Sequence, residues 1–258
     1  MTHDEPAVAL SVVIPAFNEG TRIAESVLAL QSRLAAVADT WEILVVDDGS
    51  TDDTARIVEQ IGEADPRVVL RREPHRGKGG AVRHGLMAAR GQLRFMCDAD
   101  LSMPVFELPR FLDEVPGRCD IAIATREGTT ARRIDEPWIR HFIGRLFNRV
   151  VRTVALAAVN DTQCGFKLFS AVAVERIVPW LMIEGWAFDV EVLFVARLRG
   201  LRVHEVPIEW RFQQRSRVRP LRDGLLMLRD VARIRWNAWL GRYAEVPSRR
   251  GSPRSEAR

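Results

Sequence analysis

The sequence predicts an α/β fold: a doubly wound, mostly parallel sheet with helices on both faces, followed by a C-terminal amphipathic helix. In the first half, short apolar runs alternate with segments of helical periodicity, which is the pattern of parallel strands joined by crossover helices. Polar side chains follow three of the apolar runs, at the sheet edge where such folds bind ligands. These residues are Asn18 and Glu19, Asp47 and Asp48, and Asp98 and Asp100.

The elements of the first half follow from this pattern in chain order. Four apolar runs are too short for helices and predict buried strands. They cover residues 8–15, 42–47, 67–70 and 93–97. Apolar residues spaced three or four positions apart predict three helices between these strands. They cover residues 21–38, 52–61 and 79–89.

The second half is less regular. Apolar runs predict strands at residues 119–125 and 201–208, and helical periodicity predicts helices at residues 187–198 and 221–243. Residues 138–159 carry paired apolar positions every four residues, interrupted by arginines. Together the halves predict one domain over residues 1–245. Its first half covers about 8–125 and its second half about 126–245, and residues 246–258 form a disordered basic tail.

Composition excludes several classes of protein. The chain has 258 residues, 47% hydrophobic and 28% charged, and it lacks the run of about 18 uncharged apolar residues that a membrane-spanning helix needs. Residues 1–6 contain no apolar run, so we expect no signal peptide. The three cysteines form no CxxC pair. They favour a reducing, cytoplasmic environment over a disulfide framework or a zinc site.

Charge is distributed unevenly along the chain. From Arg211 to Arg258 there are 13 arginines and four carboxylates, so this end carries +9 although the whole chain carries +4. A basic end on an acidic body predicts an anionic partner, either nucleic acid or lipid headgroups.

Asp98 and Asp100 are the strongest candidates for chemistry. Two carboxylates separated by one residue, directly after a buried strand, can hold one divalent cation that also binds diphosphate oxygens. A solvated turn is the alternative, because this spacing often arises by chance. Asp48 can accept hydrogen bonds from a base or a ribose, and its segment can equally form a capping turn.

Other segments give weaker signals. Residues 76–80, Arg-Gly-Lys-Gly-Gly, are typical of a phosphate-binding loop that opens a helix, and equally of a flexible turn. They lack Walker A spacing, which argues against an ATPase. The five histidines show no metal-ligand spacing and are interpreted as structural or exposed.

Six blocks carry a resemblance to a known family. SVVIPAFNE (11–19), VVDDGS (45–50) and DAD (98–100) resemble the donor-site blocks of family 2 glycosyltransferases, which have the GT-A fold and invert the anomeric centre. RGKGGAVRHG (76–85), DTQCGFKLF (161–169) and GWAFDVEVL (185–193) resemble dolichyl-phosphate β-glucosyltransferases and their prokaryotic relatives. The resemblance covers residues 10–243. It implies that the predicted doubly wound sheet has the GT-A fold.

The resemblance implies roles on the donor side. Asp98 and Ala99 would lie along the ribose and diphosphate, and Lys78 would reach the nucleotide. Asp100 would be the principal ligand of Mg²⁺ or Mn²⁺, with Asp98 beside it. Ser102 stands where related mannosyl enzymes place a glutamine metal ligand. The residues that would line the nucleoside pocket are Pro15, Phe17, Glu19, Val46 and Asp48.

On the acceptor side, Lys167, Ser216 and Arg217 resemble positions that hold phosphates, with Arg217 in place of the usual lysine. We place Asp161 and Asp189 near the acceptor. With Asp100 they are the candidate catalytic residues. Either Asp161 or Asp189 could act as a general base, and either could hold Lys167 or an arginine. A lipid phosphate is largely a dianion at pH 7, so it needs orientation more than a base.

The resemblance implies inverting transfer of a hexose, glucose from UDP-glucose, to a dolichyl or polyprenyl phosphate. A mannosyltransferase that uses GDP-mannose is the alternative. A sugar-phosphate nucleotidyltransferase and a basic nucleic-acid-binding protein fit less well, since the first would show a Gly-rich turn after the first strand and the second leaves the carboxylates unexplained. We therefore expect no nucleic-acid partner.

The last predicted helix bears on how a lipid is reached. Its apolar residues form two stripes with arginines between them, which suggests one face on the protein and one in the headgroup region of an anionic membrane. The alternative is a helix packed on the core with a solvated basic face. The first stripe comprises Leu221, Leu225, Leu228, Ala232, Trp236, Trp239 and Tyr243, and the second Met227, Val231, Ile234 and Ala238.

Overall fold

Nine strands are present in the computed structural model, which describes residues 7–128, 130–134, 159–211 and 220–244. They are β1 (Leu10–Ala16), β2 (Trp41–Asp47), β3 (Val68–Arg72), β4 (Leu93–Met96), β5 (Ile121–Thr125), β6 (Arg132–Ile134), β7 (Lys167–Ser170), β8 (Val203–Pro207) and β9 (Glu209–Arg211). Seven of them form one sheet in the order β3-β2-β1-β4-β7-β5-β8, and β6 pairs with β9.

Some of the sequence predictions fall outside the described residues. Ser216 and Arg217 lie there, as do residues 138–158 of the arginine-interrupted apolar segment and the tail at 246–258. The domain division stays a prediction.

The sheet is mostly parallel, as predicted. β1 runs parallel to β2 and β4, β2 to β3, and β5 to β8. β7 is the exception, because it runs antiparallel to both of its neighbours, β4 and β5. The sequence did not predict β7, since Lys167 interrupts a short apolar run that has no clear period.

Seven α-helices complete the described part of the chain. They are α1 (Ile23–Val37), α2 (Thr54–Ala64), α3 (Lys78–Ala88), α4 (Leu108–Leu112), α5 (Ala171–Ile177), α6 (Phe188–Leu198) and α7 (Pro220–Trp239). The predicted helices lie within a few residues of α1, α2, α3, α6 and α7. The short helices α4 and α5 were not predicted.

Both faces of the sheet are covered, which explains why its strands are apolar at consecutive positions. Alternate residues of β1 enter two different cores. Val13 packs into a core formed with α3, α5, α6 and α7, whereas Val12 and Ile14 pack into a core with α1, α2 and α4. This two-sided burial leaves the ends of the central strands, rather than their faces, open to a ligand.

The C-terminal helix α7 has one packed face and one exposed face. Val231 and Ile234, from the second predicted stripe, are buried in the core. Leu225, Trp236 and Trp239, from the first stripe, are 70%, 58% and 75% exposed. Among the residues that the structure describes, no helix combines the length and apolarity needed to cross a bilayer.

One residue of the first stripe departs from the prediction. Tyr243 is buried, so it does not lie on the exposed face with Leu225, Trp236 and Trp239. The helix ends at Trp239, and the N–H groups of Gly241 and Arg242 donate back to the carbonyls of Ala238 and Asn237. Gly241 has a φ of 69°, which glycine adopts without strain, and this Schellman turn directs Tyr243 back onto the protein.

Candidate functional site

The loops that follow β1, β2 and β4 meet at one edge of the sheet, as the sequence predicted. Asn18, after β1, accepts hydrogen bonds through its carboxamide oxygen from the N–H groups of Thr51 (2.7 Å) and Asp52 (3.3 Å). Its own N–H donates to the hydroxyl of Ser50 at 2.8 Å. Asn18 has a φ of 53°, a left-handed conformation that asparagine tolerates. These bonds join the first two loops into one wall of the site.

Asp48 organises the loop that precedes α3. The N–H of Arg76 donates to Asp48 Oδ1 at 2.8 Å, and the N–H of Gly77 donates to Oδ2 at 2.9 Å. The Nδ1 atom of His75 lies 2.8 Å from Asp48 Oδ2. Residues 76–77 therefore direct their amides at a buried carboxylate of the protein. Phosphate binding by residues 76–80 stays a prediction.

Phe17 and His75 form a flat aromatic surface beside Asp48. Their ring centroids lie 4.3 Å apart with an interplanar angle of 22°, which is a stacked geometry. The side chain of His75 is 58% exposed, so the pair is accessible from solvent. The sequence pattern did not identify His75 as a site residue, although it directly precedes the RGKGG block. A stacked pair next to a carboxylate suits a planar heterocycle.

The other residues expected at the nucleoside differ in exposure. Pro15 and Glu19 are partly exposed, and Glu19 forms an ion pair with Arg22 at 2.8 Å. Val46 is 0% exposed, because its side chain packs in the core next to Gly85 of α3. Its side chain therefore offers no surface to a nucleoside.

Asp98 and Asp100 lie after β4 together with Lys78, the first residue of α3. Lys78 Nζ is 2.5 Å from Asp98 Oδ1, and Asp100 Oδ1 accepts the N–H of Ser102 at 3.0 Å. Burial lowers the pKa of Lys78, but the attraction of Asp98, Asp189 and Asp100 outweighs burial and raises the pKa overall. Lys78 is therefore a fixed positive charge in this crevice.

Burial and the neighbouring charge of Asp98 raise the pKa of Asp100, although Ser102 and Lys78 act in the opposite direction. Two carboxylates that repel each other fit a divalent cation, which would relieve that repulsion. Among the described residues no group of three or more His, Cys, Asp or Glu side chains surrounds a common point. Asp98 and Asp100 could thus supply part of a coordination shell that diphosphate oxygens and water complete. Between them, Ala99 is buried and its carbonyl accepts the hydroxyl of Ser26.

Asp189 and Lys167 form a buried ion pair beside this crevice. Asp189 lies in the first turn of α6, and Lys167 Nζ contacts both its Oδ1 and the carbonyl oxygen of Cys164. Burial raises the pKa of Asp189, while Lys167 and Lys78 act to lower it. Lys167 is 1% exposed, so it could contact a phosphate only if this pair opened.

Asp161 forms an ion pair with an arginine. The sequence analysis left open whether Asp161 pairs with a cation or acts as a general base. Arg126 Nε and Nη2 donate to its carboxylate at 2.7 Å and 2.9 Å, a bidentate geometry. Burial acts to raise the pKa of Asp161, but Arg126 outweighs it and lowers the pKa to about 2. Its role as a base stays a prediction, as does that of Asp189. The sequence did not single out Arg126, because 35 residues separate the partners.

The structure thus brings Lys78, Asp98, Asp100 and Asp189 into one charged cluster. Trp186 is a further residue that the sequence did not single out, although it lies in the GWAFDVEVL block. It is 38% exposed, and its ring centroid lies 5.7 Å from Lys78 Nζ. An aromatic face next to an ammonium group and two carboxylates borders the site on the side of α6.

Comparison with known proteins supports a glycosyltransferase. Residues 11–178 match the family model described as glycosyl transferase family 2. The chain is 32% identical to dolichyl-phosphate beta-glucosyltransferase of Saccharomyces cerevisiae, over 94% of this chain and 78% of the yeast protein. It is 34% identical to the Homo sapiens protein of the same name, over 90% of this chain and 76% of that protein.

The fold matches solved structures as well. Glucosyl-3-phosphoglycerate synthase of Mycobacterium tuberculosis, solved in complex with Mn²⁺, UDP-glucose and phosphoglyceric acid, superposes with a TM-score of 0.65 at 21% identity. The match covers 93% of this chain and 82% of that one. The predicted GT-A fold is therefore confirmed.

Proposed function

The chain belongs to glycosyl transferase family 2, and we propose that it transfers glucose with inversion from UDP-glucose to a dolichyl or other polyprenyl phosphate. One observation carries the proposal. The similarity to the yeast dolichyl-phosphate beta-glucosyltransferase extends over 94% of this chain, and this span contains the cluster of Lys78, Asp98, Asp100 and Asp189 that the structure brings together.

The donor lies along the edge formed by β1, β2 and β4. Its base packs against the Phe17–His75 pair, and its diphosphate lies next to the cluster of Lys78, Asp98 and Asp100, in which Lys78 and Asp98 are in contact with each other. Asp98 and Asp100 would hold Mg²⁺ or Mn²⁺, and the ion would supply positive charge next to the diphosphate, where negative charge develops as the bond to glucose breaks. Lys78 adds a permanent positive charge of the protein itself.

The reaction balances without a general base. An oxygen of the lipid phosphate attacks C1 of glucose from the face opposite the diphosphate. The bond between C1 and the UDP oxygen breaks, and UDP leaves with the electron pair. A phosphate monoester has a second pKa near 6, so the attacking oxygen carries no proton at pH 7. The product is a phosphodiester, and the task of the protein is orientation and charge compensation.

On the acceptor side we propose that Lys167, Ser216 and Arg217 hold the lipid phosphate. Lys167 would have to exchange Asp189 for the phosphate, because the two are paired in this structure. The same exchange would free the Asp189 carboxylate beside the reacting groups. A base role for Asp189 therefore depends on the opening of this pair.

The chemistry of the lipid acceptor also implies that the protein binds to the membrane surface. Its phosphate lies at the headgroup level and its isoprenoid chain stays in the bilayer, so the enzyme docks at the membrane as a peripheral protein on the cytoplasmic face. The exposed residues Leu225, Trp236 and Trp239 of α7 provide an apolar stripe for this contact. Arginines on the same helix favour anionic lipids by about 1 kcal/mol each, a contribution that falls with ionic strength.

A direct assay tests the proposal. The protein is incubated with Mn²⁺, a short polyprenyl phosphate and either UDP-glucose or GDP-mannose, and the lipid-linked product is measured. We expect glucosyl lipid, and we expect Asp100→Asn to abolish its formation while Asp113→Asn, an exposed carboxylate outside the site, retains it. A higher kcat/KM with GDP-mannose would make the chain a mannosyltransferase. Full activity of Asp100→Asn or in excess chelator would refute the role of the metal.

A further inference from the structure

Glu191 is a buried carboxylate to which the proposed reaction assigns no role. Its Oε2 accepts hydrogen bonds from the backbone N–H groups of Met182 (2.9 Å) and Ile183 (2.8 Å). Its Oε1 accepts the hydroxyl of Tyr243 at 2.6 Å. Glu191 is 0% exposed, and a buried carboxylate with three donors is a strong and directional anchor.

The backbone that Glu191 holds belongs to residues 181–187, here named the 181–187 loop, which presses on the start of α3. The carbonyl oxygen of Glu184 accepts the N–H groups of Gly79 at 2.8 Å and Gly80 at 3.3 Å. The approach is tight, since a methyl group on Gly79 would lie 2.5 Å from the carbonyl oxygen of Ile183. The position of this loop therefore determines the position of the first turn of α3.

Lys78 and Asp189 of the active site lie next to the two ends of this connection between Glu191 and α3. Lys78 is the first residue of α3, and it reaches Asp98 from there. Asp189 lies in the first turn of α6, two residues before Glu191. A displacement of the 181–187 loop would therefore move the ammonium group of Lys78 relative to the carboxylate that it meets.

We infer that Glu191 and Tyr243 are positioning residues for donor binding. By fixing the 181–187 loop they hold Lys78 at the site of the nucleotide diphosphate. The inference rests on the proposed function and extends it, because it links the end of the C-terminal helix to the donor site. Tyr243 can reach Glu191 because the chain reverses at Gly241 after α7.

Removal of one hydroxyl group tests this link. Tyr243→Phe keeps the ring next to Phe194 and deletes the hydrogen bond to Glu191. We expect the Kd of UDP in the presence of Mn²⁺, measured by calorimetry, to rise by at most about tenfold, because the free energy of one hydrogen bond to a charged group limits how strongly the loop can hold Lys78 in place. The KM for UDP-glucose should rise by a similar factor, with a smaller change in kcat.

Val231→Ala is the matched control. It removes two buried methyl groups from α7 and leaves the Tyr243–Glu191 bond in place. We expect it to lower the Tm and to leave the Kd of UDP unchanged. The inference is wrong if Tyr243→Phe leaves the Kd unchanged, or if both variants raise it equally, because the pair then only stabilises the fold.

A double-mutant cycle tests the path through Lys78. In a Lys78→Ala background, Tyr243→Phe should no longer change the Kd of UDP, whereas additive effects would refute coupling through Lys78. Nucleotide binding does not require glucosyl transfer, so this result is independent of whether lipid product forms. If GDP binds and UDP does not, the donor proposal fails and the cycle is measured with GDP. If the protein binds neither UDP nor GDP, both the proposed function and the positioning role of Glu191 and Tyr243 are wrong.

Discussion

Gly165 offers a sharp test of the Asp98 position, because the structure leaves no room there for a side chain. A Cβ atom on Gly165 would lie 2.0 Å from Asp98 Oδ2 and 2.6 Å from its Cγ. An ordinary contact needs about 3.4 Å, so the carboxylate would retreat by about 1.4 Å. That shift exceeds what the 2.5 Å contact between Asp98 and Lys78 tolerates. We therefore expect Gly165→Ala to displace Asp98 from the charged cluster.

The expected loss is catalytic rather than structural. A misplacement of about 1 Å at a reacting site can cost about 10²-fold in rate, or about 2.7 kcal/mol of transition-state stabilisation. The carboxylate of Asp98 is partly exposed and can move towards solvent, so the fold should change little. We expect kcat/KM for UDP-glucose to fall about 10²-fold. The Mn²⁺ concentration for half-maximal activity should rise.

Gly117→Ala is the matched control, because a Cβ atom at Gly117 would meet nothing within 4 Å. Its activity and Mn²⁺ dependence should equal those of the wild type. If Gly165→Ala has wild-type kcat/KM and wild-type Mn²⁺ dependence, the position of Asp98 seen here does not matter for the donor, and the reasoning fails.

Three further predictions concern stability and the membrane. Since Arg126 lowers the pKa of Asp161 from 3.8 to about 2, their pairing stabilises the fold above pH 4 and is lost as the pH falls through 2. Arg126→Met should therefore lower the free energy of unfolding by about 2 kcal/mol at pH 6, with a smaller difference near pH 2. The free energies of unfolding are measured by urea titration. If wild type and Arg126→Met differ by the same amount at both pH values, the Asp161–Arg126 pair does not cause the difference. Replacing Trp236 and Trp239 by Ser should weaken sedimentation with anionic vesicles at unchanged Tm, because both side chains are exposed. Equal sedimentation of the variant and the wild type would show that the exposed stripe of α7 does not bind the membrane. Gly224→Ala should stabilise α7 by about 0.5–1 kcal/mol, since the added methyl group meets nothing within 4 Å, and a lower Tm would show that the glycine is needed.

The parts of the fold that the sequence predicted are those with a strong local pattern. β1 and β2 are buried on both faces, so most of their positions are apolar, and polar residues mark the ends of β1, β2 and β4. β6 and β9 are three-residue strands with charged residues, and nothing local distinguishes them from a loop. β7 contains Lys167, whose charge is compensated by a residue 22 positions away. A buried charged residue whose counter-ion is far away in the sequence cannot be recognised from the residues around it.

The same limit applies to the site. The carboxylates Asp48, Asp98 and Asp100 could be found because they follow apolar strands. Their partners could not, since periodicity carries no information on which charges meet across the fold. His75 and Arg126 show this, because each binds a predicted carboxylate yet stands in a segment that reads as a turn or a polar loop.

The C-terminal helix shows how a helical pattern misleads when it is extended past the end of a helix. Tyr243 follows Trp239 by four residues, the spacing of one continuous stripe, but the helix ends at Trp239 and the turn at Gly241 reverses the chain. Trp239 consequently faces solvent while Tyr243 is buried against Glu191. The exposed stripe and the buried contact are thus separate surfaces joined by one turn.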